Sequence, residues 1–144
     1  MSILDILGFD VKRMLEPEEI VDKLLDLGFV QTGSRRMLPQ AAKEFNSDWD
    51  FMAPDNASIH KTLLYLDFKE IPFTNGYGDD YSTSLFKNQN VEVVLKKSEF
   101  YPAFVQMWER MAPEFYKKYI WKKTPGVTRE LIKERIDFLI NYNL

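Results

Sequence analysis

The sequence predicts an α+β fold: a small mixed β-sheet covered by helices. Three observations predict it. An amphipathic helical pattern at residues 20–25 runs into a short β-type stretch at 29–32. Two further β-type runs, Tyr81 to Phe86 and Val91 to Leu95, are joined by Lys87 to Asn90 and read as a hairpin. From Ser98 onward, apolar residues recur only at helical spacing. Helix, strand, helix, several strands and then helices is the order expected of an α+β domain.

The individual elements follow from their residues. Glu16-Pro17-Glu18-Glu19 opens a helix, because proline fits a first turn and acids suit the positive end of the helix dipole. Ile20, Val21, Leu24 and Leu25 form its apolar face, and Gly28 ends it. Phe29 to Thr32 is a short strand that leads into Gly33-Ser34. Residues 35–47 are polar and irregular, with a helical turn near Gln40 to Lys43. Trp49 to Ala53 is a strand with Asp48 and Asp50 at its start, and Pro54 opens the helix that carries Ile59, Leu63, Leu64 and Leu66. Asn75 to Gly78 is a loop by composition. In the C-terminal part, Ser98 is a candidate N-cap for a helix with Phe100, Phe104, Met107, Trp108 and Met111. Pro113 starts a second helix, Thr124-Pro125-Gly126 breaks it, and Thr128 caps a last one.

The chain has 144 residues, which suits one domain over 1–144, with a core at about 16–97 and a helical part at about 98–144. There is no cysteine, which removes disulfides, thiolate zinc sites and cysteine nucleophiles together. That fits a cytoplasmic protein. The single histidine, His60, cannot build a His-rich metal site, so any metal must rely on oxygen ligands, which favour magnesium, manganese or calcium. No apolar run is long enough to span a membrane, and Met1 to Phe9 lacks the basic start of a signal peptide. Charge is uneven. Residues 1–95 hold 9 basic and 16 acidic residues, whereas residues 96–144 hold 10 basic and 6 acidic, so the last third could face a polyanion. A solvated helical face accounts for the same excess.

Three pieces carry chemistry: Gly33-Ser34 after a strand, Asp48-Trp49-Asp50-Phe51, and Val91-Glu92-Val93 on a later strand. Residues two apart on a strand share a face, so Asp48 and Asp50 would project side by side, roughly 7 Å apart along the chain. Carboxylates that close repel unless a cation sits between them. If Glu92 lies on a neighbouring strand, three acids converge where one or two divalent cations resolve the repulsion. Gly33 permits a tight turn and close approach to a ligand, the following amides can form an anion-binding concavity, and Arg35 and Arg36 add charge suited to phosphate.

The pattern resembles the DNA polymerase β-like nucleotidyltransferase superfamily and looks closest to its small, minimal members. Its parts read Thr32-Gly33-Ser34-Arg35-Arg36, then Ser47-Asp48-Trp49-Asp50-Phe51, then Val91-Glu92-Val93. The gap over 35–47 is at the long end for the family, and the third acid is Glu where Asp is more common. The resemblance covers roughly 29–96. It implies a nucleotidyltransferase-like fold and a cytoplasmic enzyme. That enzyme would move a nucleoside monophosphate from an NTP such as ATP to a hydroxyl on a protein, an RNA end or a small molecule. It further implies that Asp48, Asp50 and Glu92 hold Mg2+ or Mn2+, that Glu92 helps deprotonate the acceptor, and that Gly33 and Ser34, assisted by Arg35 or Arg36, hold the β and γ phosphates. Two other readings stand beside it: a catalytically inactive binding or inhibitory module of the same fold, and a nucleic-acid-binding accessory protein using the basic last third.

Other residues read more plainly. Asp79-Asp80 suits a solvated loop, and His60 suits a helix surface. Lys87, Lys96 and Lys97 suit strand ends. Lys117, Lys118, Lys122 and Lys123 interleave with Tyr116, Tyr119 and Trp121, a pattern that serves either base stacking or a core with a charged edge.

Overall fold

The computed structural model describes residues 14–73 and 80–143. In chain order they form α1 (Pro17–Asp26), β1 (Val30–Thr32), α2 (Gly33–Met37), α3 (Pro39–Glu44), β2 (Trp49–Pro54), α4 (Ala57–Tyr65), β3 (Lys69–Ile71), β4 (Ser82–Asn88), β5 (Val91–Lys96), α5 (Tyr101–Arg110), α6 (Pro113–Tyr119) and α7 (Arg129–Asn143). The strands make one five-stranded sheet in the order β1-β2-β5-β4-β3. β2 and β5 are parallel, and the other neighbours are antiparallel. The architecture is therefore mixed α+β, a mixed sheet with helices.

Alternation along the strands divides the core between two faces. Phe51 and Ala53 of β2, with Val91, Val93 and Leu95 of β5 and Phe86 of β4, pack against Ile20, Val21 and Leu24 of α1 and Leu63 of α4. Met52 points the other way and meets Ala103, Phe104 and Met107 of α5 and Ile140 of α7. A third cluster joins Met37 of α2 to Tyr116 and Ile120 at α6 and to Ile132 of α7. Because side chains two apart share a face, Asp50 lies on the same side as Met52, the side covered by α5 and α7.

Local chemistry sets the ends. Pro17 occupies the first turn of α1, where Glu16 and Glu19 form a reciprocal capping box. Gly28, at φ +88°, takes the left-handed position just past the C-cap Leu27. The Thr128 hydroxyl accepts from the Leu131 N–H at 3.2 Å, as expected of a cap on the last helix.

Several expectations need correction. Pro54 ends β2 rather than opening a helix; α4 begins at Ala57, with the Asn56 side chain accepting from the Ile59 N–H at 2.9 Å. Ser98 is not the cap of α5, whose N-cap is Phe100; the Ser98 hydroxyl donates to the Asp55 carbonyl. Residues 33–44 form two short helices rather than a mostly irregular stretch. The edge strand β3 was not expected, since Lys69-Glu70-Ile71 has only one apolar residue. Met1 to Phe9, the Asn75–Gly78 loop and Asp79 lie outside the described residues. Among the described residues, no helix is long and apolar enough to cross a membrane.

The cap assignment has a direct check. Asn56→Ala should lower unfolding free energy in urea by ~1 kcal/mol, and Asn56→Asp should restore most of it.

Candidate functional site

The site is built where β2 and β5 start. These parallel strands are in register with Asp50 opposite Glu92, so both side chains leave the sheet on one face. The two carboxyls share a hydrogen bond. Asp50 is pushed up from 3.8 to about 7. Burial is the largest cause, followed by the charges of Glu92 and Asp48; the Lys122 ammonium acts in the opposite sense. Glu92 has a second partner, because Lys87, its register neighbour on β4, brings its Nζ to 3.5 Å.

Gly33 closes over this pair. Register places Thr32 opposite Asp50, so the chain leaving β1 passes directly above the carboxyl. Gly33 has φ +70°, and a Cβ there would lie 2.5 Å from Asp50 Oδ2. Both the left-handed backbone and the missing side chain are therefore required at this position. Ser34 follows at the start of α2 and is buried.

Asp48 is placed differently from the expectation. β2 begins at Trp49, so Asp48 precedes the strand, is exposed, and is not fixed by the pleat. Its charge reaches Asp50. Among the described residues, however, no three Asp, Glu, His or Cys side chains are grouped so as to hold a metal ion.

The two arginines also take other duties. Arg35 Nε donates to the Ser47 carbonyl at 3.0 Å, and its guanidinium stands 4.3 Å from the Trp49 ring centre. Arg36 Nη1 donates to the Gln31 carbonyl at 3.0 Å. They brace the excursion from β1 to β2 rather than standing as a ready phosphate clamp. Asp50, Glu92, Gly33 and Ser34 are thus brought together, Asp48 sits at the rim, and Arg35 and Arg36 support the frame.

The donor set still fits a hard divalent cation. Asp50 and Glu92 offer adjacent oxygens, Asp48 is near enough to add to the field, and the proton that Asp50 holds is what a cation displaces when it binds that carboxylate. Two residues escaped the sequence reading as part of this site. Lys122 was visible within a basic run, but nothing in its spacing tied it to Asp50. Lys87 was visible as a strand-end cation, but only the register pairs it with Glu92.

The other titratable pair belongs to the opposite end of β2. His60 Nε2 lies 2.7 Å from Asp55 Oδ1. Burial works against the charge on Asp55, yet hydrogen bonds from Thr83 and His60, together with the imidazole charge, hold it below the usual carboxylate range. This pair ties the end of β2 to α4 and β4. Two surface grooves also lie away from the carboxylates, one along α1 and α4 beside Lys23, Lys61 and Tyr65, the other between α6 and α7 beside Tyr119 and Phe138.

The chain matches no protein-family model, and searches of curated proteins and of solved structures return no similar protein.

The raised Asp50 has a stability consequence. Its folded form holds the proton more tightly than the unfolded chain, so ionising it costs stability as pH rises from about 4 through about 7. Asp50→Asn should therefore stabilise the protein by ~1–3 kcal/mol at pH 8 and change little at pH 5, where the wild-type carboxyl is already protonated. Denaturant unfolding at the two pH values measures this. Gly33→Ala should destabilise by ~1–3 kcal/mol, and less in an Asp50→Ala background, where the clash with the carboxyl is gone and the backbone strain and a tight Cβ contact remain.

Proposed function

We propose that this chain is a metal-dependent nucleotidyltransferase of the DNA polymerase β-like kind. The observation that carries the reading is the Asp50–Glu92 pair, held in register on adjacent parallel strands with the Gly33 backbone packed against Asp50. Support also comes from the motif order: a Gly-Ser at a strand end, an Asp-x-Asp at the next strand, and an acid on the strand beside it. The mixed sheet and its flanking helices are compatible with that fold.

In this reading Asp50 and Glu92 hold Mg2+ or Mn2+, with Asp48 joining from the rim. Bound there, the ion supplies charge neutralisation at the α-phosphate and at the departing pyrophosphate. The chain's own residues do the rest. Gly33 lets backbone approach the triphosphate, and the Ser34 and Arg35 amides after it offer donors to phosphate oxygens. Arg35 fixes this segment to Ser47 and Trp49, which keeps Asp48 and Asp50 at a constant distance from it. The acceptor hydroxyl oxygen bonds to the α-phosphorus, and the bond from that phosphorus to the bridging oxygen breaks. The hydroxyl proton passes to Glu92, the carboxylate beside Asp50 in the sheet register.

A second reading has a specific observation in its favour. With Asp48 outside a three-acid grouping and Lys87 already beside Glu92, the same fold can serve as a nucleotide-binding module without turnover.

Magnesium-dependent release of pyrophosphate from an NTP distinguishes the two. The transferase reading expects release that falls by at least about 100-fold in Asp50→Ala and in Glu92→Ala. NTP-dependent thermal stabilisation without pyrophosphate supports the binding module, and absence of both removes the proposal.

A further inference from the structure

One register row crosses the whole sheet at the site. Lys69 of β3 pairs with Lys87 of β4, Lys87 with Glu92 of β5, Glu92 with Asp50 of β2, and Asp50 with Thr32 of β1. Partners directly opposite across strands share a face of the sheet. Phe51, Phe86, Val91 and Val93 are buried on the side of α1 and α4, so alternation turns Asp50, Lys87 and Glu92 to the other side. On that face the row runs lysine, lysine, glutamate, aspartate, threonine, at strand spacings of about 5 Å.

Charge dictates how the row settles. Lys69 and Lys87 are like charges directly opposite each other, and they repel. Lys69 lies on the edge strand and is exposed. Lys87 lies one strand further in and turns to Glu92, with its Nζ 3.5 Å from Glu92 Oε1. The contact is not part of the packing, because the Lys87 side chain is 43% exposed and that of Glu92 25%. An ion pair this open is favoured over its broken state by roughly fivefold at most. A cation of higher charge therefore takes the place of Lys87 at Glu92 without disturbing the core. Arg35 and Arg36 are already held by the Ser47 and Gln31 carbonyls, whereas Lys87 has a partner that it can exchange.

We propose that Lys87 is the internal counter-ion of the carboxylate pair and that it makes the site select a divalent cation carrying a triphosphate over the bare cation. This rests on the metal site of the transferase reading above. A bare divalent ion neutralises Asp50 and Glu92 but leaves the Lys87 ammonium between that ion and Lys69, with a positive charge on either side. An ion that arrives with a triphosphate brings Lys87 a new partner. The cation takes Glu92, and the ammonium leaves Glu92 and donates to a phosphate oxygen. No covalent bond changes in this exchange; the carboxylate trades one cation for another. Lys87 is thus a positioning residue, which acts on the metal through Glu92 and on the substrate through phosphate.

The test compares two ligands at one fixed pH. Binding of Mn2+ alone is read from the loss of the free-ion electron paramagnetic resonance signal, and binding of Mn2+–tripolyphosphate from titration calorimetry. Lys87→Met should bind bare Mn2+ about 3- to 10-fold more tightly than wild type and Mn2+–tripolyphosphate about 3- to 10-fold more weakly. Lys87→Arg, which keeps the charge, should restore both affinities. Lys69→Met, the same charge change one strand further out, should move bare Mn2+ binding by less than about twofold. An NTP with a methylene bridge between its α and β phosphates should follow tripolyphosphate, because an ammonium reads phosphate and not base. If Lys87→Met shifts both ligands in the same direction or moves neither, or if Lys69→Met matches it, the inference falls and the metal site stands. Wild type that binds neither Mn2+ nor its tripolyphosphate complex removes the metal site and the inference with it.

Discussion

Two carboxyls on neighbouring parallel strands, held in direct register, repel when both are ionised. Asp50 and Glu92 are in that position, and the rest of the site follows from it. Burial and mutual repulsion lift Asp50 toward neutrality. The arrangement costs stability whenever both groups are ionised, so something in the fold must hold them there. That support comes from the other face of the same strands, where Phe51 and Val93 are fully buried against α1 and α4. Moving either acid away would mean pulling one of those side chains out of the core, at a cost of ~2–5 kcal/mol. The apolar face thus enforces the strained polar one.

The elements around the pair either close it or balance it. Gly33 brings backbone to van der Waals range of the Asp50 carboxyl, which no other residue could do there. The two short helices between β1 and β2 form a loop-like excursion, and Arg35 ties it back at Ser47 and Trp49. The turn after α6 delivers Lys122, and β4 delivers Lys87. Both cations moderate the negative field without cancelling it, since Asp50 still holds its proton near pH 7.

Much of this arrangement was legible in the sequence, for identifiable reasons. Strand alternation around Phe51 and Val93 places Asp50 and Glu92 on the face opposite the core, and a Gly-Ser after a short strand marks a tight turn. The sequence allows Glu92 to face the same side as Asp50 only if their strands are neighbours. Their direct pairing was not legible, because it depends on β2 and β5 becoming neighbours across the intervening α4, β3 and β4. The strand start at Trp49 was legible, but the exclusion of Asp48 from the pairing was not: hydrogen bonding begins with the Trp49 N–H donating to the Asn90 carbonyl. Arg35 and Arg36 looked like phosphate ligands because charge is visible in a sequence, whereas the carbonyls that occupy them are not. Pro54 and Ser98 misled in the same way, since both residue types serve several kinds of element end.

The proposed metal site requires that a divalent cation displace the proton that Asp50 holds near neutrality. Isothermal titration calorimetry of Mg2+ binding at pH 7, repeated in buffers of different ionisation enthalpy, measures it most directly. The account predicts release of about half a proton per ion at that pH, diminishing above pH 8 and lost in Asp50→Asn. Mg2+ binding with no proton release, or release that persists unchanged in Asp50→Asn, would contradict it.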